Sequence, residues 1–247
     1  HTAYRRQRQM CIRDSTGASD SKNRQLIRSL HRRMPQARIA VTGCQAQMEP
    51  EAIATLPGVE LVVGNEAKHQ IANWLPLLDE AQTSPQIVHN KIRRLPFSLP
   101  LPLVEEAKAE QIQGPTRGQL KIQDGCDFMC SFCIIPFARG RSRHREFKNL
   151  CAEAEQQVAA GIQEIVLTGV NLGTYDLEGR NLVNVIDFLD SLKDLQRIRI
   201  SSIEPTTIDP GLLERMGDQS HKLAPFLHLP VQSGSNRILE LMKRRYN

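Results

Sequence analysis

The sequence has few aromatic residues and no long apolar run. Aromatic side chains make up 4% of the 247 residues, and there is a single tryptophan. No apolar stretch reaches the roughly 18–20 residues that a membrane-spanning helix needs. Residues 1–6 lack the apolar segment of a secretory signal peptide. These absences predict a cytoplasmic protein with no membrane partner.

The basic net charge is small and unevenly placed. The chain carries 32 lysines and arginines against 27 acidic residues, which gives a net charge of +5. Four arginines and one aspartate lie within residues 1–14, so this segment alone contributes +3 of that total. The rest of the chain is therefore close to neutral, and its charge by itself does not indicate a nucleic-acid partner.

The chain divides into four stretches of different character. Residues 1–15 have no helical or strand period, and residues 8–15 resemble translated sequencing adapter. We predict a non-native or disordered segment there, with a flexible basic arm as the alternative. Residues 16–82 alternate helices (near 20–33, 49–55 and 66–78) with strands (37–42 and 59–63), which predicts a parallel α/β domain. Residues 83–117 contain five prolines and are predicted to be a linker.

Residues 118–247 contain four predicted strand–helix units. The strands are expected near 120–123, 164–168, 197–201 and 226–229, and the helices near 147–160, 182–192, 209–216 and 235–244. Four such units in series are typical of part of a β/α barrel, in which ligands bind at the carboxyl ends of the strands. The predicted fold class is therefore α/β, with an incomplete barrel as the second domain.

Three of the six cysteines lie within eight residues, directly after the first predicted strand of the barrel. Cys126, Cys130 and Cys133 have the spacing C-x3-C-x2-C, and disulfides are not expected in a reducing compartment. Three thiolates leave one iron of a [4Fe–4S] cluster open to a further ligand. The neighbouring apolar residues are expected to exclude water from that cluster; they are Phe128, Phe132, Ile134 and Ile135.

Alternatives exist for these motifs. A structural zinc site usually has four ligands, and His144 is the candidate for the fourth beside the three cysteines. The basic stretch from Arg139 to Arg145 could contact nucleic-acid phosphates or a ligand carboxylate, or it could be a solvated loop.

The longer motifs around these cysteines resemble the radical S-adenosylmethionine (SAM) enzymes, and among them the methylthiotransferases. The resemblance covers residues 16–247. The matching stretches are TGCQAQ at 42–47, LVVGN at 61–65, KIQDGCDFMCSFCIIPFARGRSRHRE at 121–146, LTGVNLGTYD at 167–176, RIRISSIEP at 197–205 and HLPVQSGSNRILELMKRRY at 228–246. The fold implied is a partial N-terminal methylthiotransferase α/β domain followed by an incomplete radical SAM barrel, in a chain truncated at both ends.

The resemblance implies two cofactors and assigns residues to them. Cys126, Cys130 and Cys133 would hold a [4Fe–4S] cluster whose open iron binds SAM. Polar and glycine residues at strand ends would bind SAM itself, although each could instead serve only as a turn or cap residue; they are Gly169, Asn171, Ser202, Glu204, Gln232 and Ser233. No catalytic residue is assigned.

Members of this family carry a second cluster in the N-terminal domain, and Cys44 matches one of its three cysteine ligands. A second ligand would stand at the position of Arg13, so Cys11 is out of register by two residues and is not assigned as a ligand. Cys151 opens a predicted helix outside any motif and is expected to be a packed or surface thiol.

The motifs KIQDGC, VNLGTYD and SSIEP are most similar to the enzymes that add a methylthio group to C2 of N6-threonylcarbamoyladenosine at position 37 of tRNA. The expected partners are tRNA, SAM and an electron donor such as flavodoxin or ferredoxin. Alternative substrates are an aspartate of ribosomal protein S12 and isopentenyladenosine 37 of tRNA. A non-catalytic iron–sulfur or zinc module that binds RNA is the alternative from another functional class.

Overall fold

A computed structural model of the protein describes residues 17–78, 84–101 and 116–247. These residues form two units. The first holds the described residues up to Ile92 together with Phe137–Arg139, and the second holds the described residues of Arg93–Pro136 and Gly140–Asn247. The predictions for residues 1–15, including those for Cys11 and Arg13, lie outside the described residues.

The first unit is built on a three-stranded parallel sheet in the order β1-β2-β3. Strand β2 is in the middle, and its alternate side chains are buried on opposite faces, Val62 against one apolar cluster and Val63 against the other. The strands are β1 (Ile39–Thr42), β2 (Val59–Val63) and β3 (Gln86–Val88). The helices are α1 (Gly17–Arg33), α2 (Cys44–Met48), α3 (Pro50–Ala54) and α4 (Ile71–Trp74). Helix α4 is flanked by the 3₁₀ turns Lys68–Gln70 and Leu75–Leu78.

The second unit contains another three-stranded parallel sheet, in the order β10-β7-β4. Its strands are β4 (Arg117–Lys121), β7 (Glu164–Thr168) and β10 (Arg197–Ile200). Two short antiparallel hairpins pair β5 (Gln123–Asp124) with β6 (Arg143–His144) and β8 (Asp176–Leu177) with β9 (Arg180–Asn181). The helices of this unit are α6 (Phe147–Ala159), α7 (Leu182–Ser191), α8 (Pro210–Gly217) and α9 (Asn236–Leu241). The short helix α5 (Ile135–Ala138) is divided between the two units, because Phe137 and Ala138 belong to the first.

Local sequence signals explain where two of these helices begin. Asn181 caps α7, since its side chain accepts from the Asn184 amide and the Asn184 side chain accepts from the Asn181 amide. Asp209 caps α8 by accepting from Gly211 N, and Pro210 occupies the first helical position, where no amide hydrogen is needed. Both helices therefore start close to where the sequence predicts.

One apolar core joins the sheet of the second unit to its helices. Alternate side chains of β7 and β10 point to opposite faces of the sheet, and on each strand the buried ones are apolar, Ile165 and Leu167 on β7 and Ile198 and Ile200 on β10. The fully buried members of this core include Leu120, Ile165, Leu167, Ile186, Leu189, Ile198 and Leu212. This parallel α/β architecture confirms the predicted fold class.

Several predicted elements differ from the structure. The predicted strand at 226–229 is wrong, because His228 makes only an isolated bridge with Ser202. The helix predicted at 66–78 is broken into three short pieces, and Pro76 within it lacks the amide hydrogen that a continuous helix requires. Strand β3 lies in the segment predicted to be a linker. Within the described residues, no helix combines the length and apolar character needed to cross a membrane.

A buried arginine connects three elements of the second unit. Arg145 has a side chain that is 0% exposed and pairs with Glu153 at 2.5 Å. The Arg145 guanidinium also donates to Asn149 Oδ1 at 2.6 Å. The backbone carbonyl of Arg145 accepts from Tyr175 Oη at 2.9 Å. Arg145 Nη1 also donates to the carbonyl of Lys121, the last residue of β4, at 3.3 Å. Because a buried charge must be paired and hydrogen-bonded, this side chain fixes the position of α6 relative to the end of β4.

Removing the Arg145 side chain should destabilise the protein strongly. We expect Arg145→Ala to lower the free energy of unfolding by about 3–5 kcal/mol, because it leaves Glu153 without its buried partner. The matched control is Arg197→Ala, which removes an exposed partner of Glu164 and should cost less than about 1 kcal/mol. Urea unfolding followed by circular dichroism measures both. Equal losses for the two variants would contradict the structural role of Arg145.

Candidate metal centre

The three clustered cysteines lie in a loop between β5 and β6 of the second unit. The loop begins at Gly125, whose φ of +73° is in the left-handed region that favours glycine. A Cβ atom at this position would lie 2.2 Å from the Arg141 carbonyl oxygen, so a side chain cannot be accommodated. The Cys126 amide then donates to the Gly140 carbonyl, which closes the base of the loop.

The loop brings the three thiols into one apolar cluster. Cys126 and Cys130 are buried and Cys133 is half-buried, packed together with Phe128, Ile135 and Val170. The Cys133 amide donates to the Cys130 carbonyl at 3.1 Å. Soft thiolate ligands in an apolar environment are the donor set that iron–sulfur clusters use, so these residues fit such a cofactor.

Burial is the main influence on two of these thiols. Burial raises the pKa of Cys126, while the Phe128 amide that donates to its sulfur at 3.4 Å acts in the opposite direction. Burial also raises the pKa of Cys133, opposed by the Ile135 amide. Since a metal binds the thiolate, binding here must release protons and is expected to weaken at low pH.

The predicted apolar surroundings are only partly correct. Phe128 is buried beside the thiols, but the side chain of Phe132 is exposed, with 55% of the residue surface accessible. His144 lies in β6, edge-on to Tyr175, and burial lowers its pKa. Within the described ranges, no three His, Cys, Asp or Glu side chains converge as the ligands of a single metal ion do. Thiolates that hold a cubane bind different iron atoms and need not converge in this way.

The buried Gln123 side chain connects the cysteine loop to the end of β7. Its Nε2 donates to the Gly125 carbonyl at 2.8 Å and to Ser142 Oγ at 2.9 Å. Its Oε1 accepts from the amides of Val170 and Asn171 at 2.8 and 3.0 Å. One amide side chain therefore satisfies backbone groups of both segments and fixes their separation.

Four of the predicted SAM-binding residues lie at the ends of β7 and β10. A Cβ atom on Gly169 would lie 3.0 Å from Gln123 Oε1, so this glycine gives space to the Gln123 side chain. Asn171 Oδ1 accepts from the Glu204 amide at 3.2 Å, which joins the two strand ends. Ser202 makes a bridge with His228 in the same region.

Two buried polar atoms at these strand ends lack a partner. Asn171 Nδ2 and Ser201 Oγ have no hydrogen-bond partner within the described part of the chain. A buried donor without a partner is costly, and a polar ligand can satisfy it. These atoms therefore make the strand ends suitable for a polar cofactor beside the cysteine loop.

The remaining two predicted binding residues lie in a turn before α9. Gln232 is exposed and has a φ of 63°, in the left-handed region. Ser233 Oγ accepts from the Ser235 amide at 3.1 Å and therefore shapes this turn. No hydrogen bond of the described residues connects either side chain to the cysteine loop, so their binding role stays a prediction.

The structure adds one residue that the sequence motifs did not single out for the site. Arg244 Nη1 lies 3.3 Å from Cys130 Sγ, and Nη2 contacts both oxygens of Glu204 at 2.5 and 2.6 Å. Sequence reasoning placed Arg244 at the end of a predicted helix, whereas α9 ends at Leu241. The only sign of such a role in the sequence was that Arg244 is a charged residue within the motif at 228–246 that resembles the methylthiotransferases.

Two of the four arginines in the basic stretch are buried inside the fold. Arg143 is buried and pairs with Asp124 at 3.6 Å, and Arg145 is the buried partner of Glu153. The hypothesis that this stretch contacts phosphates is therefore wrong for both residues. Arg141 is exposed and donates to the Asp127 carbonyl at 3.3 Å.

Cys44 begins α2 in the first unit, directly after β1. Its sulfur accepts from Arg139 Nε at 3.4 Å, and Asn65 Nδ2 lies 3.9 Å away. Cys151 is half-buried in α6, where burial raises its pKa to about 11, and no predicted site residue is near it in sequence. Its thiol is therefore expected to be inert, in agreement with a packing role.

Comparison with known proteins gives a family match over the second unit. Residues 120–247 match the family described as the Radical SAM superfamily. The chain is 38% identical over 234 residues to the threonylcarbamoyladenosine tRNA methylthiotransferase MtaB of Bacillus subtilis, covering 94% of this chain and 50% of that protein. It is 37% identical over 227 residues to the tRNA-2-methylthio-N(6)-dimethylallyladenosine synthase of Cereibacter sphaeroides, covering 89% and 48%. The chain thus spans about half the length of these relatives, and the predicted resemblance to methylthiotransferases is confirmed.

A solved structure shares the fold at low sequence identity. The radical S-adenosylmethionine methyltransferase TsrM from Kitasatospora setae, solved with tryptophan and a SAM analogue, has a TM-score of 0.62 and 17% identity. The alignment covers 92% of this chain and 48% of that one. The likeness supports the α/β architecture of the second unit.

Replacing a loop cysteine should remove iron binding. We expect Cys130→Ala, after anaerobic reconstitution with iron and sulfide, to lose most of the iron and visible absorbance of the unsubstituted chain, because a cubane needs all three thiolates. Cys151→Ala is the matched control and should retain both. Iron analysis and absorbance spectra measure the difference, and an unchanged iron content in Cys130→Ala would refute the ligand role.

Proposed function

Since this chain belongs to the Radical SAM superfamily, we propose that Cys126, Cys130 and Cys133 hold a [4Fe–4S] cluster next to a SAM site. The observation that supports this most is the burial of the thiols in one apolar loop that Gln123 joins to the end of β7. The bound cluster and SAM supply one-electron chemistry that activates an unreactive C–H bond. A low-potential electron donor of the flavodoxin or ferredoxin class is part of the proposal.

The residues of this chain bind and orient the cofactors. The three thiolates leave one iron position for SAM. Asn171 Nδ2 and the Ser201 hydroxyl offer polar contacts that no other described residue uses. Gly169, Ser202 and Glu204 shape the same strand ends, and Gln232 and Ser233 complete the proposed set of binding residues. Phe128 and Val170 keep water away from the thiols, which suits chemistry that water would quench.

We further propose that the complete protein transfers a methylthio group to C2 of N6-threonylcarbamoyladenosine at position 37 of tRNA, in the cytoplasm. Support comes from the motifs KIQDGC, VNLGTYD and SSIEP and from the 38% identity to the Bacillus subtilis protein. Cys44 is proposed as a ligand of a second cluster. The 37% identity to the Cereibacter sphaeroides synthase favours dimethylallyladenosine as the second candidate substrate.

Anaerobic SAM cleavage tests the chemical class. The reconstituted and reduced chain should convert SAM to 5′-deoxyadenosine and methionine, and Cys126→Ala should reduce this conversion at least about 100-fold because the cluster is lost. Liquid chromatography of the quenched reaction measures both products. A chain that binds zinc with high occupancy and leaves SAM intact would instead support the non-catalytic RNA-binding alternative.

Nucleoside mass spectrometry tests the substrate. Deletion of the gene for this protein should abolish the 2-methylthio form of threonylcarbamoyladenosine in bulk tRNA, and the full-length gene should restore it. The full-length gene carrying Cys126→Ala is the matched negative control. Loss of the methylthio form of dimethylallyladenosine alone would favour the second candidate. Unchanged levels of both nucleosides would refute the tRNA assignment.

A further inference from the structure

One cation lies directly on a proposed ligand sulfur. The side chain of Arg244 is 5% exposed, and its Nη1 donates to Cys130 Sγ at 3.3 Å. The other arm of the guanidinium contacts both Glu204 oxygens and the Pro230 carbonyl at 3.2 Å, and Nε donates to Tyr246 Oη at 3.1 Å. All three nitrogens of the guanidinium group therefore have a defined contact.

The pairing with Glu204 holds the guanidinium in one orientation. The Glu204 side chain is 8% exposed, so neither charge is well solvated and each depends on the other. Because the guanidinium is planar and rigid, the contacts of Nη2 and Nε determine where Nη1 points. Glu204 acts here through Arg244, in addition to its proposed place at the cofactor site.

We propose that Arg244 is a positioning residue that sets the reduction potential of the cluster through its hydrogen bond to Cys130. This inference rests on the proposed cluster ligation. Reduction adds one negative charge to the cluster, and a cationic donor at a ligand sulfur stabilises that charge. Arg244 therefore favours the reduced cluster and raises the potential, whereas the negative charge of Glu204 opposes this effect.

Independent contacts hold the segment that carries Arg244 against the cysteine loop. The Ser131 amide donates to the Met242 carbonyl at 3.1 Å, and Ser131 Oγ donates to the Leu241 carbonyl at 2.9 Å. These bonds use backbone acceptors, so they do not depend on the Arg244 side chain. Its replacement should leave the segment in place and change mainly the environment of the sulfur.

The neighbouring Arg245 provides a matched control. Its guanidinium lies 4.0 Å from the centre of the Phe128 ring and donates to the Asp127 carbonyl at 3.4 Å. It carries the same charge and approaches the same loop, but this hydrogen bond is to a backbone oxygen and not to sulfur. A difference between the two positions therefore separates the sulfur contact from a general effect of positive charge.

The experiment compares cluster potentials in the anaerobically reconstituted chain by redox titration monitored with electron paramagnetic resonance. Arg244→Gln should lower the equilibrium constant for reduction about tenfold, which corresponds to about 59 mV for a one-electron couple. Arg244→Lys keeps the positive charge, so its cluster potential should lie between those of Arg244→Gln and the unsubstituted chain. Arg245→Gln should change the constant less than about twofold, in keeping with an exposed charge. Glu204→Gln keeps an amide oxygen that can accept from Nη2 but removes the negative charge, so it should shift the potential upward.

Stability provides the second measurement. Arg244→Gln and Glu204→Gln both break the buried pair, so both should lower the urea midpoint of unfolding. If the two residues had only a structural role, both variants would lose stability, but the cluster potential would not fall in Arg244→Gln and rise in Glu204→Gln.

Three outcomes would contradict the proposal. Equal potentials for Arg244→Gln and Arg245→Gln in chains with full clusters would overturn the role of Arg244 alone. An unsubstituted chain that binds no iron would overturn the proposed ligation and this inference with it. Arg244→Gln could also fail to fold. In that case the role of Arg244 would be overturned if the two single variants Arg244→Lys and Glu204→Gln both had the same cluster potential as the unsubstituted chain.

Discussion

The candidate site depends on one buried amide side chain. Gln123 donates to the carbonyl at the start of the cysteine loop and accepts from two amides at the end of β7. These backbone groups lie where regular strand pairing has ended, and unpaired buried groups would be costly. Gly169 lacks a side chain where Gln123 approaches, and Gly125 allows the turn that follows. The relative position of thiols and strand ends thus follows from satisfying backbone hydrogen bonds.

Around this connection, the buried arginines are each matched to a carboxylate. Arg145 with Glu153 fixes helix α6, and Arg244 with Glu204 places a cation beside Cys130. A buried guanidinium without a partner is strongly unfavourable, so such pairs specify geometry even where they add little net stability. Basic residues that resemble a nucleic-acid contact in the sequence can therefore belong to the interior. The same buried environment raises the pKa of Cys126 and Cys133 and couples metal binding to proton release.

Sequence patterns predicted elements with strong local signals and missed those that depend on distant partners. Strand 164–168 was predicted with the observed bounds, because a short apolar run between turn signals is a local property. The run at 226–229 has a similar composition but makes only an isolated bridge with Ser202. Strand β3 has three residues in a proline-rich stretch and exists because it pairs with β2. Phe132 was expected to shield the thiols and is exposed, since its orientation depends on loop geometry.

The sequence by itself determined the spacing of the thiols, the alternation of strands and helices, and the motifs that indicate the superfamily. These are properties of neighbouring residues, and local periodicity and ligand spacing are sufficient to detect them. Only the tertiary structure decided that Arg244 contacts a sulfur 114 positions away and that Arg143 and Arg145 are buried. It also decided that Asn171 Nδ2 has no hydrogen-bond partner among the residues that the structure describes. Such facts depend on how segments far apart in the chain pack together, and no local pattern records that packing.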